Sequence, residues 1–188
     1  MTNTIKGLMV VAHPDDCIIF GWPFVRLYGN VNWKILYLTY TDTSDRGAEI
    51  KNFWQHYNIT VDFCGIEDHY RDLEADKIIT FDTDSAANIL KTKITNCDFL
   101  LTHGSDGEYG HPHHKFVHNV CTTINLPQAY FANRHANFRI DHEQYNFDKQ
   151  NLQLVPEHRN VIESFSDRYQ GLYWLSEQTK ELLKGLES

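Results

Sequence analysis

The 188-residue sequence has few cysteines, and no two of them lie close together. Its four cysteines are Cys17, Cys64, Cys97 and Cys121, and none belongs to a C-x-x-C pair. This scatter argues against a disulfide framework and against a structural zinc site built from thiolates. We therefore expect reduced thiols and a cytoplasmic protein.

Long hydrophobic runs and excess positive charge are also missing. Apolar stretches such as residues 8–12 are far shorter than the roughly 20 residues of a membrane-spanning helix, and the N-terminus lacks a signal-peptide pattern. Seventeen lysines and arginines stand against 25 aspartates and glutamates, which gives a formal net charge of −8. A chain with this excess of acidic residues and no basic stripe is poorly suited to bind nucleic acid or anionic lipid. We expect no nucleic-acid partner and no membrane span.

Internal repeats, low-complexity segments and proline- or glycine-rich linkers are absent as well. The chain is therefore predicted to form a single domain over residues 1–188. Its hydrophobic content of 41% is enough for a folded core. The composition leaves the oligomeric state open, and a homo-oligomer is compatible with it.

Apolar runs alternate with segments of helical period along most of the chain. We expect strands at residues 6–12, 33–40, 60–64, 99–102 and 128–132. We expect helices at residues 16–28, 48–57, 85–95, 114–123, 157–169 and 176–184, with Pro23 kinking or shortening the first of them. Residues 137–154 have no clean period. Alternating strands and helices predict an α/β fold, with a mostly parallel sheet covered by helices on both faces.

Two predicted loops that follow strands contain unusual side chains. The first, residues 12–17, has the sequence AHPDDC, and the second, residues 103–114, has the sequence HGSDGEYGHPHH. Eleven histidines in 188 residues average about half a histidine per eight-residue window, yet residues 111–118 contain four. Such an excess commonly indicates a metal site. Ligands in sheets of this kind lie at the carboxyl ends of strands, where both loops are expected.

The spacing of residues in the first loop fits part of a catalytic metal site. His13 and Asp16 are three residues apart across a turn into a helix, so both can face one point. A third ligand from the second loop would complete a set of two histidines and one carboxylate, with a position left for water. The adjacent Asp15 is then placed to act as a base toward that water. The alternative is structural: Asp16 would only cap the helix.

The two loops resemble the A-H-P-D-D-E and Y-G-H-P-D-H signatures of the PIG-L/LmbE-like zinc-dependent de-N-acetylases. More weakly, Arg46 and Glu49 resemble the R-x-x-E helix start of that family, and residues 66–68 resemble its L-P-D loop. The resemblance implies a Rossmann-like three-layer α/β fold with a mostly parallel sheet. It also implies a hydrolase with one Zn²⁺ per chain, which removes acetyl from a small-molecule N-acetylglucosamine-type conjugate and releases acetate.

The resemblance assigns roles to residues of both loops. His13, Asp16 and His114 would bind zinc, and Asp15 would be the general base. His111 would lie beside the carbonyl oxygen of the substrate, polarise it and stabilise the oxyanion together with the metal. These assignments need both loops to meet in the folded chain.

Three further residues are implied to contact substrate, and two positions depart from the family pattern. Tyr109 would add a hydrogen bond at the carbonyl, whereas Arg46 and Asp68 would contact sugar hydroxyls or the aglycone. For Arg46 the alternative is a surface ion pair with Glu49. Cys17 stands where the family usually has Glu, and His113 where it usually has Asp. Neither position is a family metal ligand.

Two other functions remain open from the sequence. Two histidines and one carboxylate also bind non-haem iron in oxygenases, although such sites lie in β-barrels and need no extra carboxylate like Asp15. The departures at Cys17 and His113 are compatible with a degenerate, non-catalytic sugar-binding protein, but the intact Asp15 disfavours it.

Overall fold

A computed structural model describes residues 4–68, 70–73, 76–132, 135–141, 145, 147, 149–169 and 171–187. The strands are β1 (Lys6–Val11), β2 (Asn32–Thr39), β3 (Thr60–Ile66), β4 (Tyr70–Leu73), β5 (Asp76–Ile79), β6 (Phe99–Thr102), β7 (Gln128–Phe131), β8 (Phe138–Arg139) and β9 (Leu172–Leu175). The helices are α1 (Asp16–Ile19), α2 (Trp22–Leu27), α3 (Asp45–Gln55), α4 (Thr83–Lys93), α5 (Gly107–Gly110), α6 (Pro112–Cys121), α7 (Lys149–Leu152), α8 (Arg159–Tyr169) and α9 (Glu177–Leu183). A 3₁₀ turn at Pro156–His158 precedes α8.

The main sheet has seven strands in the order β3-β2-β1-β6-β7-β9-β8. The first five strands in this order pair in parallel, and β9 and β8 extend the sheet with antiparallel pairing. The chain moves outward from β1 through β2 to β3, then returns to the other side of β1 as β6. This reversal between β1 and β6 is a topological switch point, where open α/β sheets bind ligands. The prediction of a mostly parallel α/β fold is confirmed.

Two apolar clusters fill the space on the two faces of the sheet. Along β1, Met9 and Val11 belong to the cluster that includes residues of α1, α2 and α3, whereas Leu8 and Val10 face the residues of α4 and α6. Because successive side chains point to opposite faces, a strand buried on both faces is apolar throughout. The result is three layers, with the central strands fully covered.

The first predicted helix is divided into two short ones. Helix α1 ends at Ile19 and α2 starts at Trp22, with Pro23 in its first turn. Proline is tolerated there because its missing N–H would have no partner within the helix. The predicted effect of Pro23 is confirmed.

The antiparallel elements were not predicted. Strands β4 and β5 pair in a separate two-stranded antiparallel sheet, and β8 and β9 complete one edge of the main sheet. These strands are two to four residues long, too short for a recognisable period, and their pairing depends on distant partners. Residues 137–154 lie only partly within the described chain. None of the described helices combines the length and apolar character needed to cross a membrane.

Candidate metal centre

The two predicted loops meet at the carboxyl ends of β1 and β6. These strands are parallel neighbours, so the segments that follow them emerge at the same edge of the sheet. The third contributor is α6, which begins at Pro112 and includes the last three residues of the second predicted loop. Eight polar side chains with at most 7% exposure are packed in this region. They are His13, Asp15, Asp16, His103, Glu108, His111, His113 and His114.

Three of these side chains form a triangle of ligand atoms. Asp16 places Oδ2 at 3.2 Å from Nδ1 of His13 and Oδ1 at 3.2 Å from Nε2 of His114, and the two nitrogens are 3.3 Å apart. Zinc bonds of about 2.0–2.1 Å place tetrahedral ligands about 3.3–3.4 Å apart. The spacing of these three side chains is therefore close to that of zinc ligands, with Asp16 facing each histidine through a different carboxylate oxygen.

Glu108 orients His114 and was missed in the sequence. Its Oε2 accepts hydrogen bonds from Nδ1 of His114 at 2.6 Å and from Nδ1 of His103 at 2.9 Å, and its Oε1 accepts from the Gly104 amide at 2.8 Å. Burial alone would raise the pKa of Glu108, but attraction to His103 and the hydrogen bonds from both rings lower it to about 2. With its proton held on Nδ1, His114 directs the lone pair of Nε2 into the triangle.

The backbone at Glu108 is in an unusual conformation. This residue has φ 57° and ψ −63°, which interrupts the short helix α5. Such a backbone conformation typically costs about 1–3 kcal/mol and persists where surrounding contacts enforce it. Here the three hydrogen bonds to the carboxylate are those contacts. Strain of this kind is concentrated at functional sites.

His103 connects the two loops. Its Nε2 accepts the Ala12 amide at 3.0 Å, and its Nδ1 donates to Glu108. The ring is fully buried and stacks on His114, with centroids 3.9 Å apart. His103 is the first residue after β6, so its position at a strand end is the signal by which sequence analysis could have found it.

Replacing Glu108 by glutamine is expected to weaken zinc binding by about 10- to 100-fold, because an outer hydrogen-bond partner of a ligating histidine is lost. A competing chelator titration measures this affinity. Glu181→Gln makes the same chemical change at an exposed position of α9 and is expected to bind zinc like the original chain. Equal affinity of the two variants would contradict the role given to Glu108.

Asp15 lies at the start of α1 with its carboxylate toward Arg46. Among the described residues, no amide of α1 donates to that carboxylate, and the Arg46 Nη2 atom is 3.4 Å from Oδ1. Asp16 accepts from the preceding His13 amide at 2.7 Å. Neither carboxylate therefore serves as a simple side-chain cap of the helix.

Arg46 is held by residues that sequence analysis did not connect to it. It donates from Nε to Nε2 of His158 at 3.1 Å and from Nη1 to the Tyr40 hydroxyl at 3.0 Å. Glu49 instead accepts from Nδ1 of His158 at 3.1 Å. Burial and the Arg46 charge lower the pKa of His158 to about 4, so its neutral ring donates to Glu49 and accepts from Arg46. His158 lies in the 3₁₀ turn, more than 100 residues from Arg46.

His111 caps α6 and lies at equal distances from the two histidines of the triangle. Its Nδ1 accepts the His113 amide at 3.2 Å, and its ring centroid is 4.7 Å from those of His13 and His114. Burial, with these two rings nearby, lowers the pKa of His111 to about 2. The ring is neutral, and its remaining proton is on Nε2. Tyr109 is 42% exposed, with its ring centroid 5.8 Å from that of His111.

Asp68 contacts His13 directly. Its Oδ1 is 3.2 Å from Nε2 of His13, and its Oδ2 accepts the Tyr40 hydroxyl at 2.9 Å. Burial would raise the pKa of Asp68, but hydrogen bonds from His113 and His13 lower it well below its usual range. The structure thus brings all eight predicted site residues into one connected group, and their individual roles stay predictions.

Metal affinity is expected to rise at least tenfold per pH unit between pH 6 and 8 and to level off above pH 9, because the ion must displace a proton from His13 and, at the lower end, from His114, whose pKa the Asp16 charge also raises against the effect of burial. Burial alone would lower the pKa of His13, but the charge of Asp16 and hydrogen bonds to Asp16 and Asp68 raise it to about 9. Chelator competition across this range measures the slope. A flat profile would contradict a ligand role for His13.

A cleft of about 970 Å³ opens beside the second loop. It shares Tyr109 with the surroundings of the triangle and extends over β7 and β9. Tyr130 and Trp174 stack on its floor with centroids 5.2 Å apart, and His118 packs against Tyr130 at 4.9 Å. Trp174 is 37% exposed. The cleft has the size and aromatic lining of a small-molecule site.

Solved structures with a similar fold include deacetylases and a hydratase. A deacetylase of teicoplanin biosynthesis in complex with teicoplanin matches with a TM-score of 0.59 and 13% identity, covering 92% of this chain and 99% of that one. GalB, the 4-carboxy-2-hydroxymuconate hydratase of Pseudomonas putida KT2440, matches with a TM-score of 0.56 and 11% identity over 87% and 84% of the two chains. At these identities the similarity shows a shared fold.

Sequence comparison identifies the family. Protein L374 of Acanthamoeba polyphaga mimivirus, described as uncharacterized, is 29% identical in an alignment 153 residues long that covers 69% of this chain. The chain spans 65% of the length of that curated relative. Residues 8–125 match the model of the PIG-L family, described as GlcNAc-PI de-N-acetylase, and this segment contains both loops. The chain therefore belongs to the PIG-L family.

Proposed function

We propose that the protein is a zinc-dependent hydrolase that removes the acetyl group of an N-acetylglucosamine-type conjugate and releases acetate. The observation that carries this proposal is the triangle of His13, Asp16 and His114 with the carboxylate of Asp15 beside it. A solved neighbour described as the zinc-inhibited form of teicoplanin deacetylase Orf2, with a TM-score of 0.51 and 12% identity, supports zinc binding by a protein of this fold. One catalytic zinc ion per chain and a cytoplasmic location belong to the proposal.

The metal would be held by Nδ1 of His13, the Asp16 carboxylate and Nε2 of His114. When bound, zinc supplies a Lewis acid that polarises a carbonyl and makes water a nucleophile at neutral pH. Catalytic zinc sites typically have three protein ligands, such as two histidines and one carboxylate, and a fourth coordination position for water or substrate.

Asp15 would accept the proton of the attacking water. Its carboxylate is oriented by Arg46, which is itself held by His158 and Tyr40. A base held in this way keeps its geometry while the proton moves. The same carboxyl group would then return the proton to the departing amine of the sugar, since the carbon–nitrogen bond breaks with the electron pair leaving on nitrogen.

His111 would stabilise the charge that develops on the acetyl oxygen. Because its Nδ1 accepts the His113 amide, its Nε2 carries the proton and can donate to the oxygen. The helix N-cap thus fixes the tautomer that an oxyanion donor needs. Tyr109, at the border of the cleft, would add a second contact to the substrate.

The cleft would take the sugar conjugate beyond its acetamide group. Replacing Trp174 by alanine removes an aromatic ring on which the conjugate would stack, with a loss of about 1.5 kcal/mol of binding free energy. We therefore expect KM to rise about tenfold with kcat nearly unchanged. Steady-state kinetics measures both constants. Ile89→Ala, at a similarly exposed apolar position on α4, is the matched control. An unchanged KM for the Trp174 variant would place the conjugate elsewhere.

Acetate release tests the proposed function. The chain, loaded with one equivalent of zinc, is incubated with a panel of N-acetylglucosamine conjugates, and acetate and free amine are quantified. We expect stoichiometric acetate and amine from at least one conjugate. Zinc bound at the triangle with no release from any of them would overturn the deacetylase proposal and favour a sugar-binding protein. Elemental mass spectrometry of the purified chain distinguishes zinc from iron.

A further inference from the structure

We propose that His13, Asp68 and His113 form a second divalent-cation site, on the opposite edge of the His13 ring from the proposed catalytic zinc. Nε2 of His13 is 3.1 Å from Nδ1 of His113 and 3.2 Å from Oδ1 of Asp68, and the latter two atoms are 3.5 Å apart. These separations are close to those of the first triangle and to the edge of a tetrahedral zinc site. His13 therefore belongs to two ligand triangles, one at each ring nitrogen.

The surroundings hold each donor toward the common point. The Tyr40 hydroxyl donates to Oδ2 of Asp68, which leaves Oδ1 to face the histidines. His113 is fully buried, and its ring packs against Phe81 with centroids 5.3 Å apart. The Asp68 side chain is 25% exposed, so water can reach the site from that side. Ligands supported in this way are typical of built metal sites.

The donor set depends on a departure from the family signature. His113 occupies a position where the family signature usually has aspartate, so the second triangle holds two nitrogens and one carboxylate oxygen. Imidazole donors favour zinc, copper and nickel over magnesium and calcium. We therefore expect the second site to take a transition-metal ion of the same class as the first.

Simultaneous occupancy requires both nitrogens of His13 to bind metal. A bond forms between the second ion and Nε2, the N–H bond there breaks, and the proton passes to solvent, so no electrons are transferred. The two ions would lie roughly 6 Å apart across the imidazole, given metal–nitrogen bonds of about 2.0–2.1 Å. Without the second ion, Nε2–H donates to Asp68, and the cluster only positions His13 for the first ion.

Metal stoichiometry separates these two states of the cluster. The full chain is dialysed against buffered free zinc, and bound zinc is measured by elemental mass spectrometry. We expect two equivalents in the original chain and one in His113→Asn and in Asp68→Asn. His56→Asn removes the exposed histidine that follows the last residue of α3, and this variant is expected to retain two equivalents. Circular dichroism checks that each variant is folded.

The outcomes distinguish this inference from the proposed function on which the first site rests. His114→Ala is expected to retain one equivalent, and the double variant with His113→Asn none. Saturation of the original chain at one equivalent, unchanged in His113→Asn and lost in His114→Ala, would overturn the second site and leave the first standing. If the original chain bound one equivalent of zinc that was lost in His113→Asn and kept in His114→Ala, both the two-site proposal and the proposed catalytic ligand set would be wrong.

Discussion

Replacing Asp15 by asparagine is expected to slow acetate release by about 10²- to 10⁴-fold while the metal stays bound, because the change removes a general base and no ligand. The amide keeps the size of the side chain but cannot take the proton of the attacking water. The effect should fall on kcat, with KM nearly unchanged. Steady-state kinetics and metal analysis of the same preparation measure both quantities.

Asp42→Asn is the matched control for this experiment. Asp42 is exposed and pairs with Lys51 outside the metal centre, so its amide variant is expected to keep full activity. A kcat for the Asp15 variant equal to that of the control would exclude Asp15 as the base. Loss of metal in the Asp15 variant would instead make this carboxylate a ligand.

Replacing His114 by alanine is expected to abolish acetate release and to weaken zinc binding at the first triangle by more than about 100-fold. This loss exceeds the one expected when only a hydrogen-bond partner of a ligating histidine is removed. The change removes one ligand atom and leaves the buried Glu108 without the hydrogen bond that it accepts at 2.6 Å. Both effects disfavour a bound ion. A chelator titration of His114→Ala in the His113→Asn background, which removes the second site, measures the affinity of the first triangle.

His118→Ala separates loss of a ligand from loss of a histidine of α6. His118 lies one turn further along the same helix, and its Nδ1 contacts the backbone oxygen of His103 at 2.9 Å. We expect this variant to bind zinc with nearly unchanged affinity. If His114→Ala retained full affinity and activity, the proposed catalytic ligand set would be wrong.

The family and the fold class were predictable from local patterns. The AHPDDC and YGHPHH segments match short signatures, and β1 is an apolar run because it is buried on both faces. A helix start signal at Ser176 also proved correct, since its hydroxyl accepts the Thr179 amide at 3.2 Å. Each of these features depends on residues close together in the chain.

The supporting contacts of the site were not predictable in the same way. Nothing in the sequence near Arg46 indicates that its partner is His158, and nothing near His13 indicates that Asp68 and His113 contact its second nitrogen. The same is true of the cleft, because Trp174 reaches it only through the antiparallel pairing of β9 with β7.

The sequence of neighbouring residues thus determined the positions of the strands, the loops that follow them and the residue types that could bind metal. The folded arrangement determined which nitrogen of each histidine faces which carboxylate, and that Glu108 orients His114. The physical reason is that strand and helix periods are set by neighbouring residues, whereas distances of about 3 Å between side chains depend on how distant segments pack.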